Sequence, residues 1–66
     1  MKFLKKMREK EGWSAYKMAG HLGLLPQTYA QYEKSAKGMR IKTLCQIRNR
    51  LNLTWDQLGK HLENEV

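Results

Sequence analysis

Short helical segments, separated by glycine and proline, are the feature that most constrains the fold of this chain. Apolar residues recur every three or four positions, which is the spacing of one face of a helix. Gly12 and Gly23 interrupt these runs, and Pro26 follows where another helix can begin. β-branched residues are few, so strands have little support. Because 66 residues build one small core, the sequence predicts a single all-α domain over residues 1–66.

Five helices are predicted, and their ends carry recognisable signals. They cover about residues 2–11, 14–22, 26–34, 41–51 and 54 onward. The side chains of Ser14 and Thr54 can accept hydrogen bonds from the first free amides of their helices, and Gln57 can complete a capping box with Thr54. Gly12 and Gly23 suit left-handed helix ends.

The apolar spacing also predicts which face of each helix is buried. The second helix is expected to bury its small and apolar residues, namely Ala15, Met18, Ala19 and Leu22. The third helix is expected to turn Leu25, Tyr29, Tyr32 and Glu33 inward, and Gln27, Ala30, Gln31 and Lys34 outward. Trp13 and Trp55 are expected to close the core where their helices begin. The division of the third helix into an aromatic side and an amide side is the most informative of these patterns.

The formal net charge is +7, and it is unevenly distributed. Residues 1–53 hold 12 of the 13 basic residues and three of the six acidic ones, whereas residues 54–66 hold Lys60 against three acids. A positive body of this kind favours a polyanionic partner. The alternative at this point is a solvated basic surface without a partner.

Several function classes are not expected from this composition. So short a chain can hardly build the walls of a catalytic cleft, so we expect no enzyme, no cofactor and no small-molecule substrate. Cys45, His21 and His61 lack the spacing of a metal site. No apolar run reaches the ~20 residues of a membrane span, and none follows the basic start as in a signal peptide. A single cysteine favours a reducing cytoplasm.

The order of several short motifs resembles a known family. They are Met7-Arg8, Gly12-Trp13-Ser14, Met18-Ala19, Leu22-Gly23-Leu24, Gln27-Thr28-Tyr29, Tyr32-Glu33, then Leu44, Ile47, Leu51 and residues 53–58. In this order and spacing the chain resembles the phage repressor and Cro-like (XRE-type) helix-turn-helix regulators of bacteria. The resemblance implies a compact five-helix, lambda-repressor-like domain, with the second and third helices forming the motif.

The resemblance also implies a partner and a site. The third helix would enter the major groove of double-stranded DNA, with Pro26, Gln27 and Gln31 reading bases and Thr28 and Ala30 beside them. The chemistry of these side chains agrees, because a glutamine amide matches the N6 and N7 edge of adenine and an alanine methyl can meet a thymine methyl.

Residues around the third helix are candidates for binding phosphate. They are Ser14 and Lys17 on the second helix and Lys34, Lys37, Arg40 and Lys42 after it, of which about half are expected to touch the DNA backbone. The resemblance further pairs Arg8 with Glu33 as a structural salt bridge.

Three positions depart from the family pattern. Ala15 stands where a phosphate-binding glutamine is common, and Leu25 precedes Pro26 where a serine or threonine cap is common. Ser35 stands where a glycine often ends the recognition helix. The first departure weakens phosphate anchoring, and the other two affect the angle at which the third helix meets DNA.

Two hypotheses about function follow. The first is a transcriptional regulator, a repressor, that binds a two-fold operator as a homodimer. Leu62 and Val66 form either its dimer seam or part of a frayed tail over residues 61–66. Phage switching, restriction control and antitoxin autoregulation all fit. The second is a protein-interaction module on the same fold, bound to a toxin or another regulator, which Ala15 and the uncapped third helix favour.

Overall fold

The computed structural model describes residues 1–64 as five helices. They are α1 (Lys2–Glu11), α2 (Ala15–Leu22), α3 (Pro26–Lys34), α4 (Ile41–Arg50) and α5 (Trp55–Glu63). No strand occurs within residues 1–64. The predicted all-α, five-helix fold is therefore confirmed, and each helix end that the sequence defined lies within one residue of its predicted position.

The helix ends form as the local sequence dictates. Ser14 Oγ accepts a hydrogen bond from the Lys17 amide at 3.1 Å and so caps α2. Thr54 and Gln57 form the predicted capping box of α5, with distances of 3.1 and 2.9 Å. Gly12 and Gly23 end α1 and α2 in the left-handed conformation. These local bonds satisfy amides and carbonyls that the helices leave free.

One hydrophobic core lies between the five helices. α2 packs against both α3 and α4, and α1 packs against α3. Every helix contributes to the core, whose buried members are Met1, Phe3, Leu4, Met18, Ala19, Leu22, Tyr29, Ile47 and Leu58. This arrangement fixes α3 through its inner face and leaves its outer face toward solvent.

Three expectations about buried residues are wrong, and each concerns the start of a helix. Ala15, the first residue of α2, is exposed. Leu25 is 70% exposed because it is the N-cap residue of α3, in an extended conformation, where helical periodicity does not yet apply. Trp55, the first residue of α5, is 53% exposed. Its ring lies 4.7 Å from the Arg48 guanidinium instead of closing the core.

The end of α5 is held against α1. The His61 ring stacks on the Phe3 ring with 4.8 Å between centroids, and Leu62 packs against the core. Val66, the other half of the predicted dimer seam, lies outside the described residues. Among residues 1–64 no helix has the length and apolar character needed to cross a membrane.

Candidate nucleic-acid interface

The outward face of α3 presents two amides and one methyl group to solvent. Gln27, Ala30 and Gln31 are exposed, as is Pro26 at the first position of the helix. Because Gln27 and Gln31 are four residues apart, their side chains lie on the same side of the helix, with Ala30 beside them. Thr28, at the flank, is half-buried. The four side chains predicted to face outward, Lys34 included, are all exposed.

The opposite face of α3 is fixed in the core. Tyr29 is fully buried, and Tyr32 and Glu33 are half-buried. The predicted inward face of α3 is therefore confirmed at these three positions. Leu25, the N-cap residue of α3, has no side-chain acceptor, so the first amides of α3 receive no side-chain cap, as predicted.

Arg8 connects three parts of the fold behind α3. Its Nε donates to Glu33 Oε2 at 2.7 Å, and its Nη2 donates to Glu33 Oε1 at 3.4 Å. Its Nη1 donates to the carbonyl oxygen of Trp13 at 3.1 Å. Arg8 thus holds the end of α3 to α1 and to the segment before α2. This two-pronged geometry is one that a guanidinium can form and an ammonium group cannot.

Three pKa values are shifted around this pair. The hydrogen bond to Glu33 raises the pKa of the Arg8 guanidinium. Burial of the Glu33 carboxyl would raise its pKa, but the hydrogen bond and positive charge of Arg8, with the neighbouring Tyr29 hydroxyl and Lys5, together outweigh burial and lower the pKa below the ordinary 4.5. Burial and the neighbouring Glu33 carboxylate raise the pKa of the Tyr29 hydroxyl. Glu33 is therefore ionised and Tyr29 neutral at neutral pH, so the Arg8–Glu33 pair stays charged on the inner side of α3.

Replacing Arg8 by alanine is expected to lower the free energy of unfolding, because it removes charge-assisted hydrogen bonds from a half-buried carboxylate. The two side chains are 19% and 15% exposed, so water screens this pair poorly. Urea denaturation at neutral pH measures the loss. An Arg8→Ala protein as stable as the original chain would contradict a structural role for the pair.

Acid should weaken the same pair. Because the pKa of Glu33 is lowered in the folded chain, the unfolded chain takes up the proton first. The stabilisation is therefore complete above the unfolded pKa near 4.5 and is lost as the pH falls through the folded value. The Glu33→Gln variant should show a flatter dependence of unfolding free energy on pH as the pH falls below the unfolded value. An unchanged pH profile would contradict this assignment.

The connection between α2 and α3 is a tight turn at Gly23. The residue has φ +71°, and its amide donates to the Gly20 carbonyl at 3.2 Å. The Leu24 amide donates to the Ala19 carbonyl at 2.8 Å. From α4, the Gln46 amide nitrogen donates to the Leu22 carbonyl at 2.7 Å. The turn is thus held by its own backbone and by a side chain from another helix.

Cationic residues precede and follow α3 in the sequence. Lys17 follows the N-cap of α2 by one turn, and its ammonium group lies 5.1 Å from the centroid of the Trp13 ring. After α3, the segment 35–40 turns at Gly38, with φ +83°, and the Lys37 amide donates to Ser35 Oγ at 3.1 Å. Lys34, Lys37, Arg40 and Lys42 are all exposed.

Arg40 and Lys42 flank the start of α4. Arg40 is the N-cap residue of α4, and because a guanidinium has no acceptor it cannot cap the free amides of this helix. The first amides of α4 and the two cationic side chains are therefore close together at the positive end of a helix dipole. Such an arrangement favours an anion.

Comparison with known protein families identifies the family of this chain. A family model described as helix-turn-helix matches residues 4–58, a span that includes α2, the Gly23 turn and α3. The chain belongs to this helix-turn-helix family. The resemblance drawn from the sequence motifs is thereby confirmed.

One similar relative of this helix-turn-helix protein is described as prophage-derived. It is an SPbeta prophage-derived uncharacterized HTH-type transcriptional regulator, YonR, of Bacillus subtilis (strain 168), and it is 39% identical over 65 residues. The alignment covers 96% of this chain and 60% of the relative, so the chain matches a little over half of that protein. No solved structure was found to match the chain.

Gln46 is the residue of the helix-turn-helix unit that the sequence did not reveal. Its amide nitrogen bonds the carbonyls of both Leu22 and Gly23, at 2.7 and 3.2 Å. His21 acts similarly at the other end of α4, with its Nε2 3.0 Å from the Arg50 carbonyl oxygen. Six of the ten residues of α4 are polar, so polarity did not single out Gln46, and its partners are 23 and 24 positions away in sequence.

Substituting Gly23 by alanine is expected to cost about 1 to 3 kcal/mol of stability, because a left-handed backbone disfavours a side chain and the Gln46 amide must move. A Cβ at Gly23 would lie 2.7 Å from Gln46 Nε2. Gly12→Ala is the matched control, since Gly12 has the same φ of +71° but open space around its Cβ position. Thermal unfolding compares the two. Equal losses would contradict a role for Gln46 in holding the turn.

Proposed function

We propose that this chain is a sequence-specific double-stranded DNA-binding transcriptional regulator, a repressor that places α3 in the major groove. The observation that carries the proposal is the exposed amide face of α3, Gln27 and Gln31 with Ala30 between them, on a helix whose other face is fixed in the core. Rigid support of this kind holds the base-reading side chains in one orientation. Membership of the helix-turn-helix family supports the same placement.

Base reading would use three kinds of contact. Gln27 and Gln31 can each form two hydrogen bonds with an adenine edge, and Ala30 can contact a thymine methyl group. Pro26 and Thr28 lie at the start of the same helix and would border the same base pairs. The predicted site is therefore richest in contacts to A·T pairs.

Phosphate binding would fix the position of α3. Ser14 Oγ accepts the Lys17 amide and keeps its O–H available to donate to a phosphate oxygen. Lys17 stands one turn further on α2, and Lys34, Lys37, Arg40 and Lys42 supply charge on the other side of α3. These contacts would set the register on the duplex without reading its sequence.

We infer that the operator is two-fold symmetric and that two copies bind it. Two recognition helices read successive major grooves when they are about 34 Å apart. Leu62 already packs against its own core, so a dimer seam at the end of α5 would depend on its remaining exposed surface and on Val66. Because its partner would be DNA, we place the protein in the cytoplasm of a bacterial or phage-infected cell.

Selection of bound sequences from a random duplex pool tests the proposal. The expected result is a site with two A·T-containing half-sites related by two-fold symmetry, spaced by about 10 base pairs. A pool that shows no enrichment, at a salt concentration where the protein still binds duplex DNA, would contradict sequence-specific recognition. A protein that binds no duplex at low salt would favour the protein-interaction alternative.

A further inference from the structure

Two adjoining clefts run along one edge of α1, on a surface that the proposed DNA contacts do not use. The first, of about 300 Å³, is lined by Lys2, Phe3, Lys6, Met7, His61 and Asn64. The second, of about 320 Å³, includes Met7, Lys10, Trp13, Arg50 and Asn52 in its lining. Met7 lines both, so the clefts are neighbours along the helix. No residue of α3, and none of the predicted phosphate-binding residues, lines either of them within the described chain.

The edge of α1 that forms this surface combines lysines with an apolar strip. Lys2, Lys6 and Lys10 are exposed and recur every four residues, so they form a row about 6 Å apart. Beside them, the half-buried apolar side chains of Met7, Trp13 and Leu51 line the second cleft and form the apolar strip. We call the two clefts with this row and strip the α1 groove.

The facing wall of the α1 groove is also positively charged or neutral for the most part. Asn64 and His61 face it from the end of α5, and Arg50 and Asn52 face it from the end of α4. Among residues 1–64, the single acidic residue that lines either cleft is Glu11. An apolar floor with a cationic rim therefore runs along α1, and its charge suits an acidic partner.

We propose that the α1 groove binds an acidic amphipathic helix of a partner protein. Leucine-like side chains one turn apart would pack on Met7 and its half-buried neighbours in the apolar strip, and carboxylates on the flanks of the partner helix would pair with Lys2, Lys6 and Lys10. The four-residue spacing of the lysines matches one helical turn, as in other helix-in-groove complexes. Methionine adapts readily to the shape of an incoming side chain.

Nucleic acid suits this surface less well than a helix does. A phosphate backbone would pair with the lysine row but would make no use of the apolar strip. Because α3 takes no part, the groove stays accessible when α3 is on DNA. The inference thus extends the proposed function: a coregulator with an acidic helix could bind while the operator is occupied, and its binding does not depend on DNA recognition.

The test uses a synthetic peptide of about four helical turns, with leucines every three or four residues and glutamates elsewhere. Trp13 fluorescence reports binding in a Trp55→Phe background, since Trp13 lines the groove and Trp55 does not. A scrambled peptide of equal composition is the control. We expect the amphipathic peptide to bind at least about tenfold more tightly, since two buried leucines distinguish it. Equal affinities would overturn the proposal.

Paired charge reversals locate the peptide. Lys6→Glu with Lys10→Glu should weaken peptide binding at least about tenfold. The matched variant, Lys37→Glu with Lys42→Glu, changes net charge equally, and should weaken random-duplex binding more and peptide binding less. All four lysines are exposed, so both variants should fold. The opposite pattern, or equal losses in both variants, would overturn the proposal. It would also be overturned if the protein self-associated and only Lys6→Glu with Lys10→Glu abolished this, because a second copy would then occupy the groove.

Discussion

Alanine at both Gln27 and Gln31 is expected to lower affinity for the selected operator by about 2 to 6 kcal/mol, because each bidentate glutamine–adenine contact contributes about 1 to 3 kcal/mol. Both side chains are exposed, so the substitution should leave folding intact. Affinity for an unrelated duplex should change little, since phosphate contacts remain. Fluorescence anisotropy with both duplexes at one fixed salt concentration measures the difference.

Asn49→Ala is the control for this experiment, because it removes an exposed amide from α4, outside α3 and outside the end of α5. It should leave operator affinity unchanged. Single substitutions at 27 and 31 should each relax preference at a different base pair. An equal loss on operator and unrelated DNA in the double variant would contradict base reading by these two amides.

Binding to the operator is expected to weaken about a thousandfold between 50 and 200 mM salt, since about three phosphate contacts per copy release about six counterions from a two-copy complex. The exposed cations after α3 are the main contributors, and in the described part of the chain the one salt bridge joins Arg8 to Glu33 and involves none of them. The measurement is the slope of the logarithm of the binding constant against the logarithm of the salt concentration.

Lys37→Gln and Lys42→Gln should each make the salt dependence shallower, by about one unit of slope for every phosphate group that the lysine had neutralised. Lys6→Gln, on α1, removes the same charge from another surface and should leave the slope nearly unchanged. Affinity that does not vary with salt would contradict phosphate binding altogether. A slope that depends on Lys6 as much as on Lys42 would contradict the location of the phosphate-binding surface.

The fold was largely predictable because its helix signals are local. Ser14, Thr54 and Gly23 act within four residues of their own position, so their roles can be derived from neighbouring residues in the sequence. The expectation of burial was wrong at Ala15, Leu25 and Trp55. Each is the N-cap residue or the first residue of its helix. A helical wheel cannot assign a face to such residues.

The sequence predicted which side chains of α3 face outward, but it did not predict the hydrogen bonds from other helices that hold the α2–α3 turn. Tyr29 occupies the inner side of α3, so the outer side of Gln27 and Gln31 followed from the period of the helix. The bonds from Gln46 to the carbonyls of Leu22 and Gly23 join residues 24 and 23 positions apart and depend on how α4 packs against the α2–α3 turn. Nothing in the local sequence specifies those partners.

The side-chain amide signals of the four glutamines provide the most direct test of the account. Gln27 and Gln31 lie on the exposed face of α3, whereas Gln46 is bonded to the α2–α3 turn and Gln57 caps α5. Titrating ¹⁵N-labelled protein with the selected operator should shift the amide signals of Gln27 and Gln31 and leave that of Gln57 in place. Unmoved signals from Gln27 and Gln31 in a saturated complex would contradict major-groove reading by α3.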